Sequence, residues 1–197
     1  MNTSAGRGWL NAAATVLGIG LALLLAATAV MAVQAARGAP VSFPLSPEAA
    51  FGTEAGPTLL PGVELARDAT VTVRLPDPAA AQSAWSVLLW LPSTLLAGAA
   101  VTLVLLAVVR ARRGDPFGGG VVTIMRTLGV VLLVGGPLVQ LLTGVGSYRL
   151  AGTVLGRGAD FAPAFTLDGP IVGVCVLALA EVIRHGQRLR EELDEVI

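Results

Sequence analysis

The sequence predicts an all-α membrane protein, a four-transmembrane-helix bundle with a small extracytoplasmic β-rich cap, built as one integral membrane domain of 197 residues. Three observations predict it. Apolar residues make up 54% of the chain and charged residues 13%, about half the charged share of an ordinary soluble domain, so a water-soluble fold could not hide this much apolar surface. Several uncharged runs are long enough to cross a hydrocarbon layer of about 30 Å at about 1.5 Å of rise per residue. Arginines gather so that one side of the predicted membrane carries most of them. The helices fall at about 9–35, 84–112, 119–144 and 169–190, with outer loops at about 37–83 and 145–168.

The first span, Leu10 to Val33, contains no charged residue. Arg7 ahead of it and the small residues near Gln34 also resemble a secretory signal, but the core of such a signal is only about 7–15 residues long. The segment therefore reads as a retained anchor. Ala14, Gly18, Ala22 and Ala26 recur at every fourth position and form a ridge of small side chains. That ridge is either a face for close helix contact or a consequence of alanine abundance.

Trp85 to Val109 is the second span, with Trp85 and Trp90 near one end, where indoles favour the headgroup layer, and Arg110, Arg112 and Arg113 at the other. The third runs from about Val121 to Thr143, with Arg126 in its second turn and a bend expected near Gly135, Gly136 and Pro137. The fourth has the shortest uncharged run, Gly169 to Ala180, which could equally be a buried or re-entrant segment and so leaves a three-span alternative open. Asp168, Gly169 and Pro170 make a favourable helix start, because a carboxylate can cap free amides and proline is tolerated in a first turn. Beyond the run, Glu181 and Arg184 reach the interface on long stems, so the helix can continue.

Arg7, the Arg110–Arg113 cluster, Arg126 and the group Arg184, Arg188 and Arg190 all fall on one side, which is thereby read as cytoplasmic, with both termini there. This makes the chain a multi-pass cell-membrane protein. Arg37, Arg67, Arg74, Arg149 and Arg157 lie on the other side, diluted in longer loops.

The first outer segment is rich in proline and glycine and alternates apolar positions at Val41, Phe43 and Leu45 and again at Val71, Val73 and Leu75, which predicts short strands. Gly62 to Leu65 is a further candidate. Tyr148 to Leu155 in the second outer loop reads as a comparable stretch. A sheet drawn from both loops would serve either as a passive cap or as a sensor, its small core depending on the helices below.

Net charge is zero and every basic residue is arginine, so no global field attracts nucleic acid and no direct nucleic-acid binding is expected. Cys175, alone in its type, excludes an internal disulfide and a multi-cysteine zinc site, and is read as buried packing. His185 has no second histidine or cysteine at ligand spacing. Paired acids, a nucleophile with its base and metal ligands at membrane depth are all missing from the pattern, so neither enzyme activity nor a cofactor is expected.

Arg126 enters the third helix and Glu181 leaves the fourth at similar depth on the same side, which predicts that they pair, since an isolated charge there is costly. Farther along, Arg188 with Glu192 and Arg190 with Asp194 stand four apart, and Leu189, Leu193 and Val196 make an apolar edge. This is either a partner-binding helix or a solvated end whose arginines fix topology. Gly186 allows close packing or a slight bend.

The inner loop and third span read Gly114-Asp-Pro-Phe117, then Arg126 and Gly129, and the fourth span closes Leu179-Ala-Glu-Val-Ile-Arg-His-Gly186-Gln-Arg-Leu-Arg-Glu191-Glu-Leu-Asp. Together these resemble a family of small bacterial four-span membrane proteins catalogued only as a domain of unknown function, family 2975. In that family a Pro-Phe loop precedes an arginine and a glycine in the third span, and a glycine and a basic-acidic helix follow the fourth. The matching segments cover roughly the last half of the chain. The sequence departs from the family at Asp194-Glu195-Val196, where members end in threonine or another short polar residue. The resemblance implies four helices, no enzyme activity and gene neighbourhood with a small helix-turn-helix regulator of the Xre type.

Two functions follow as expectations. One is a membrane regulator or sensor embedded in the lipid bilayer, whose cytoplasmic face binds such a regulator through Arg110, Arg112, Arg113, Phe117, Arg184, Arg188, Arg190 and Glu191. The other is a small transporter or channel subunit. Its polar candidates, Arg126, Thr127, Gln140 and Thr143, span only part of a route, so conduction would require an oligomer.

Overall fold

The computed structural model describes residues 3–45, 71–113, 119–155 and 166–194, and the side chains of residues 8–45, 71–112, 120–154 and 166–188. Four helices and two strands follow in the order α1 (Thr3–Ala36), β1 (Val41–Leu45), β2 (Val71–Leu75), α2 (Ala80–Arg113), α3 (Gly119–Leu155) and α4 (Asp168–Asp194). Each helix contains a stretch long and apolar enough to cross a membrane: Gly8–Ala36, Ala80–Arg112, Gly120–Val154 and Asp168–Arg188.

Their surfaces are consistent with lipid as solvent. Ile19, Leu23, Leu95, Val134, Val174 and Val182 are all more than half exposed, whereas the fully buried apolar residues are few. An apolar surface this extensive is stable against hydrocarbon and unstable in water. By length, composition and surface, the chain is a multi-pass membrane protein. Cys175 belongs to this outer surface: it is exposed, not packed inside the chain as expected, because it shares the outward face of α4 with Val174 and Ile171.

Helix ends follow local chemistry. At the end of α1 the Gly38 amide donates to the Ala35 carbonyl at 3.2 Å and the Ala39 amide to the Gln34 carbonyl at 3.0 Å. This closing pattern requires a left-handed residue, and Gly38 supplies it with φ of 68°. At the start of α2, Gln82 in the third helical position accepts a bond from the Ala79 amide at 2.8 Å, satisfying a donor the helix leaves open. In α4 the Ile171 amide donates to the Leu167 carbonyl at 2.9 Å, so Asp168 is the first helical residue, one position inside the cap expected for it. Its charge still favours the positive end of the helix.

Packing resolves into two units, Met1–Thr28 with Ser93–Val139 and Phe165–Ile197, and Ala29–Pro92 with Gln140–Ala164. In the first, α3 and α4 run antiparallel in close contact. A Cβ on Gly173 would lie 2.7 Å from the Leu133 nitrogen and 2.8 Å from the Gly129 oxygen, and one on Gly129 would lie 2.6 Å from Leu177 Cγ. Only glycine lets two membrane helices approach this closely. Gly136 and Gly169 continue the seam, where each added Cβ would come within 3.3 Å of the other's Cα. In the small-residue ridge of α1, nothing lies within 4 Å of a Cβ on Gly18, and α1 meets α2 through Leu24 against Gly98. Gly186 likewise faces open space, so close packing does not explain it.

In the second unit, β1 and β2 pair antiparallel, Phe43 opposite Val73 and Leu45 opposite Val71. Their inward residues Phe43 and Leu45 bury against Leu150 and Ala151, with Trp85, Leu89 and Val154 around them. The stretch Tyr148–Leu155, expected to be a strand, is therefore helix, and α3 runs on about 11 residues past its expected end. Glycines 144, 146 and 152 give the pattern its strand-and-turn character, since each costs about 1 kcal/mol inside a helix. Burial of Leu150 and Ala151 under the sheet offsets that cost, and Gly146 lets α3 settle against α2 beside Leu88 and Trp85. Among the described residues, only the segment between α1 and α2 supplies strands; the Gly62–Leu65 candidate lies outside them. Pro92 and Pro137 each sit inside an unbroken helix, so Gly135–Pro137 is helix interior.

Candidate functional site

Arginine placement along the helices becomes spatial at one end of the first unit. Leu10 of α1, Ala111 of α2 and Val121 of α3 line one slot, so the beginning of α1, the end of α2 and the beginning of α3 lie together. The pair Arg126–Glu181 adds the later part of α4 to the same end. Arg110, Arg112, Arg126, Arg184 and Arg188 thus collect there, brought from three helices by their alternating direction.

Glu181 organises the centre of this end. Arg126 donates through Nη2 to Glu181 Oε2 at 2.5 Å, and Arg184, one turn along α4, donates to Glu181 Oε1. One carboxylate is held between two guanidiniums, each on its own oxygen. Each of the three side chains remains partly exposed on the isolated chain, with side-chain exposures of 43%, 51% and 37% for Arg126, Glu181 and Arg184. Arg110 reaches across to the start of α3, where its Nε would lie 3.0 Å from a Cβ on Gly120.

The other expected docking residues fall as follows. Arg112 and Arg188 are exposed on α2 and α4. Arg113 ends α2, and Arg190 and Glu191 lie within α4, with side chains outside the described set. Phe117 lies outside the described residues, and so do the side chains of Glu192, Arg190 and Asp194, which the pairs expected with Arg188 and with each other need.

Comparison with protein-family models, curated proteins and solved structures finds no match. The resemblance to the four-span family therefore rests on the quoted residues alone.

Among the described residues, this end offers arginines and the Glu181 carboxylate. Among the described residues no group of three histidine, cysteine or carboxylate side chains is placed to hold a metal. Thr127 donates back to the Thr123 carbonyl of its own helix at 3.0 Å, and the Arg126 guanidinium is engaged by Glu181. Two contacts have no counterpart in the sequence pattern. Arg149 lies over the Trp85 ring, 5.5 Å from its centroid, and Gln82 Nε2 donates to Thr153 Oγ1 at 3.4 Å. A helical continuation through Tyr148–Leu155 is the signal that would have revealed both.

Proposed function

We propose that this protein is a regulatory or sensory component of the bacterial cell membrane, with both termini in the cytoplasm and the paired strands forming an extracytoplasmic cap. Its arginine-rich end docks a cytoplasmic partner, of which a small helix-turn-helix regulator of the Xre type is the leading candidate by family resemblance. The observation that carries the reading is the convergence of Arg110, Arg112, Arg184 and Arg188 where the helix ends meet, with Glu181 engaged by Arg126 and Arg184. Arginines on rigid, adjacent helix ends lose less freedom on binding than arginines on a free tail, so the surface is preorganised. Arg113, Phe117, Arg190 and Glu191 join the proposed partner-binding set on the sequence alone.

Co-purification from native membranes tests this. The full chain is expected to recover a cytoplasmic protein that is lost when the chain is cut after Ile183. Equal recovery from the two forms would remove the docking surface from the proposal.

A further inference from the structure

The slot beside the arginines has a second use. It is a cavity of about 230 Å³ bounded by three helices of the first unit: Leu103, Val104, Ala107, Val108 and Ala111 of α2, Val121, Ile124, Met125 and Leu128 of α3, and Leu10 of α1. Every lining side chain is apolar. From Leu103 to Ala111 it runs roughly 12 Å along the helix axis, most of the roughly 15 Å hydrocarbon depth of one leaflet. Its volume and length suit one extended hydrocarbon chain and are too small for a helix about 10 Å across.

At the end bounded by Ala111 and Val121 the slot meets an arginine. Arg110 and Arg112 flank Ala111, and the Arg110 side chain lies over Gly120, next to the lining residue Val121. An apolar slot that ends beside Arg110, with the exposed Arg112 at the same end of α2, matches an acyl chain joined to a negative headgroup, and basic pockets between membrane helices bind such lipids. We infer that this slot holds one acyl chain of an anionic phospholipid, whose phosphate is met by Arg110 and Arg112. The lipid is a resident of the fold, distinct from the exchangeable lipid over exposed faces such as Leu106. The inference shares Arg110 and Arg112 with the proposed docking face, and its test uses the purified chain without a partner.

The full-length protein, extracted in mild detergent, is equilibrated with mixed micelles of equal phosphatidylglycerol and phosphatidylcholine, and bound lipid is counted by native mass spectrometry. One phosphatidylglycerol per chain is expected, preferred about tenfold or more. Ala107→Trp, which fills the slot, is expected to remove it, while Leu106→Trp on the exposed face leaves it in place. Arg110→Gln with Arg112→Gln is expected to bring the two lipids near parity, and free glycerol phosphate is expected not to bind. Equal retention of both lipids by the unaltered chain, or unchanged retention in Ala107→Trp, overturns the inference. Should Ala107→Trp aggregate, the double arginine variant decides, and an unaltered preference there overturns it equally.

Discussion

Arg126 of α3 and Glu181 of α4 meet at 2.5 Å, one end of a seam that continues through Gly129, Gly173, Gly136 and Gly169. The charged contact and the close glycine contacts serve the same helix pair by different means. Small residues bring the backbones together, and the ion pair fixes which turn faces which.

Removing one charge should therefore be worse than removing both. Glu181→Gln leaves both Arg126 and Arg184 without the carboxylate they share, whereas Arg126→Gln with Glu181→Gln leaves only Arg184 unmatched. Thermal unfolding in detergent is expected to show a midpoint for the single variant several degrees below that of the double. A double variant as unstable as Glu181→Gln would show that the pair is not coupled.

The seam itself is sensitive to one methyl group. Gly173→Ala would put a Cβ 2.7 Å from the Leu133 nitrogen, inside any real contact, and should cost about 1–3 kcal/mol as the helices move apart. Gly18→Ala, with nothing within 4 Å, should be neutral or slightly stabilising because alanine favours helix. Unfolding of the two variants side by side in one detergent checks the contrast, and equal effects would locate the close approach elsewhere.

Under the sheet, Leu150 is fully buried against Phe43 and Leu45. Leu150→Ala should cost about 2–5 kcal/mol, while Tyr148→Ala, more than a third exposed two residues earlier, should cost far less. Denaturant titration monitored by tryptophan fluorescence is suited to this, because Trp85 borders the same cluster. Comparable losses at both positions would contradict helical burial of Leu150.

Arg149 over Trp85 should contribute about 0.5–1 kcal/mol, lost in Arg149→Gln and largely kept in Arg149→Lys. The same titration reads it. A glutamine variant as stable as the lysine variant would show that charge over the ring is not what matters.

Features set by composition and spacing are legible in the amino-acid sequence. Uncharged runs mark all four helices, alternation at Val41–Leu45 and Val71–Leu75 marks the two strands, and matching depth on opposite-running spans marks the contact of Arg126 with Glu181. Arg184 completing that contact is within reach too, since it stands one helical turn from Glu181. Features set by tertiary burial are not legible. The pattern of Tyr148–Leu155, with its flanking glycines, is that of a strand, whereas in the fold it is helix with Leu150 buried against Phe43 and Leu45. The glycines of α1 and of the α3–α4 seam look alike in sequence, yet Gly18 faces open space and Gly173 faces backbone. The exposure of Cys175 is hidden for the same reason, because an apolar run in a membrane helix does not say which face meets lipid.

Topology tests the account most directly, because the arginine end can dock a cytoplasmic partner only if it faces the cytoplasm. In a Cys175→Ser background, Ser42→Cys in β1 and Arg188→Cys in α4 each offer one exposed thiol to a membrane-impermeant maleimide added to intact spheroplasts. The expected result is labelling at position 42 without lysis and at position 188 only after lysis. The reverse pattern, or labelling of both sites without lysis, contradicts the account.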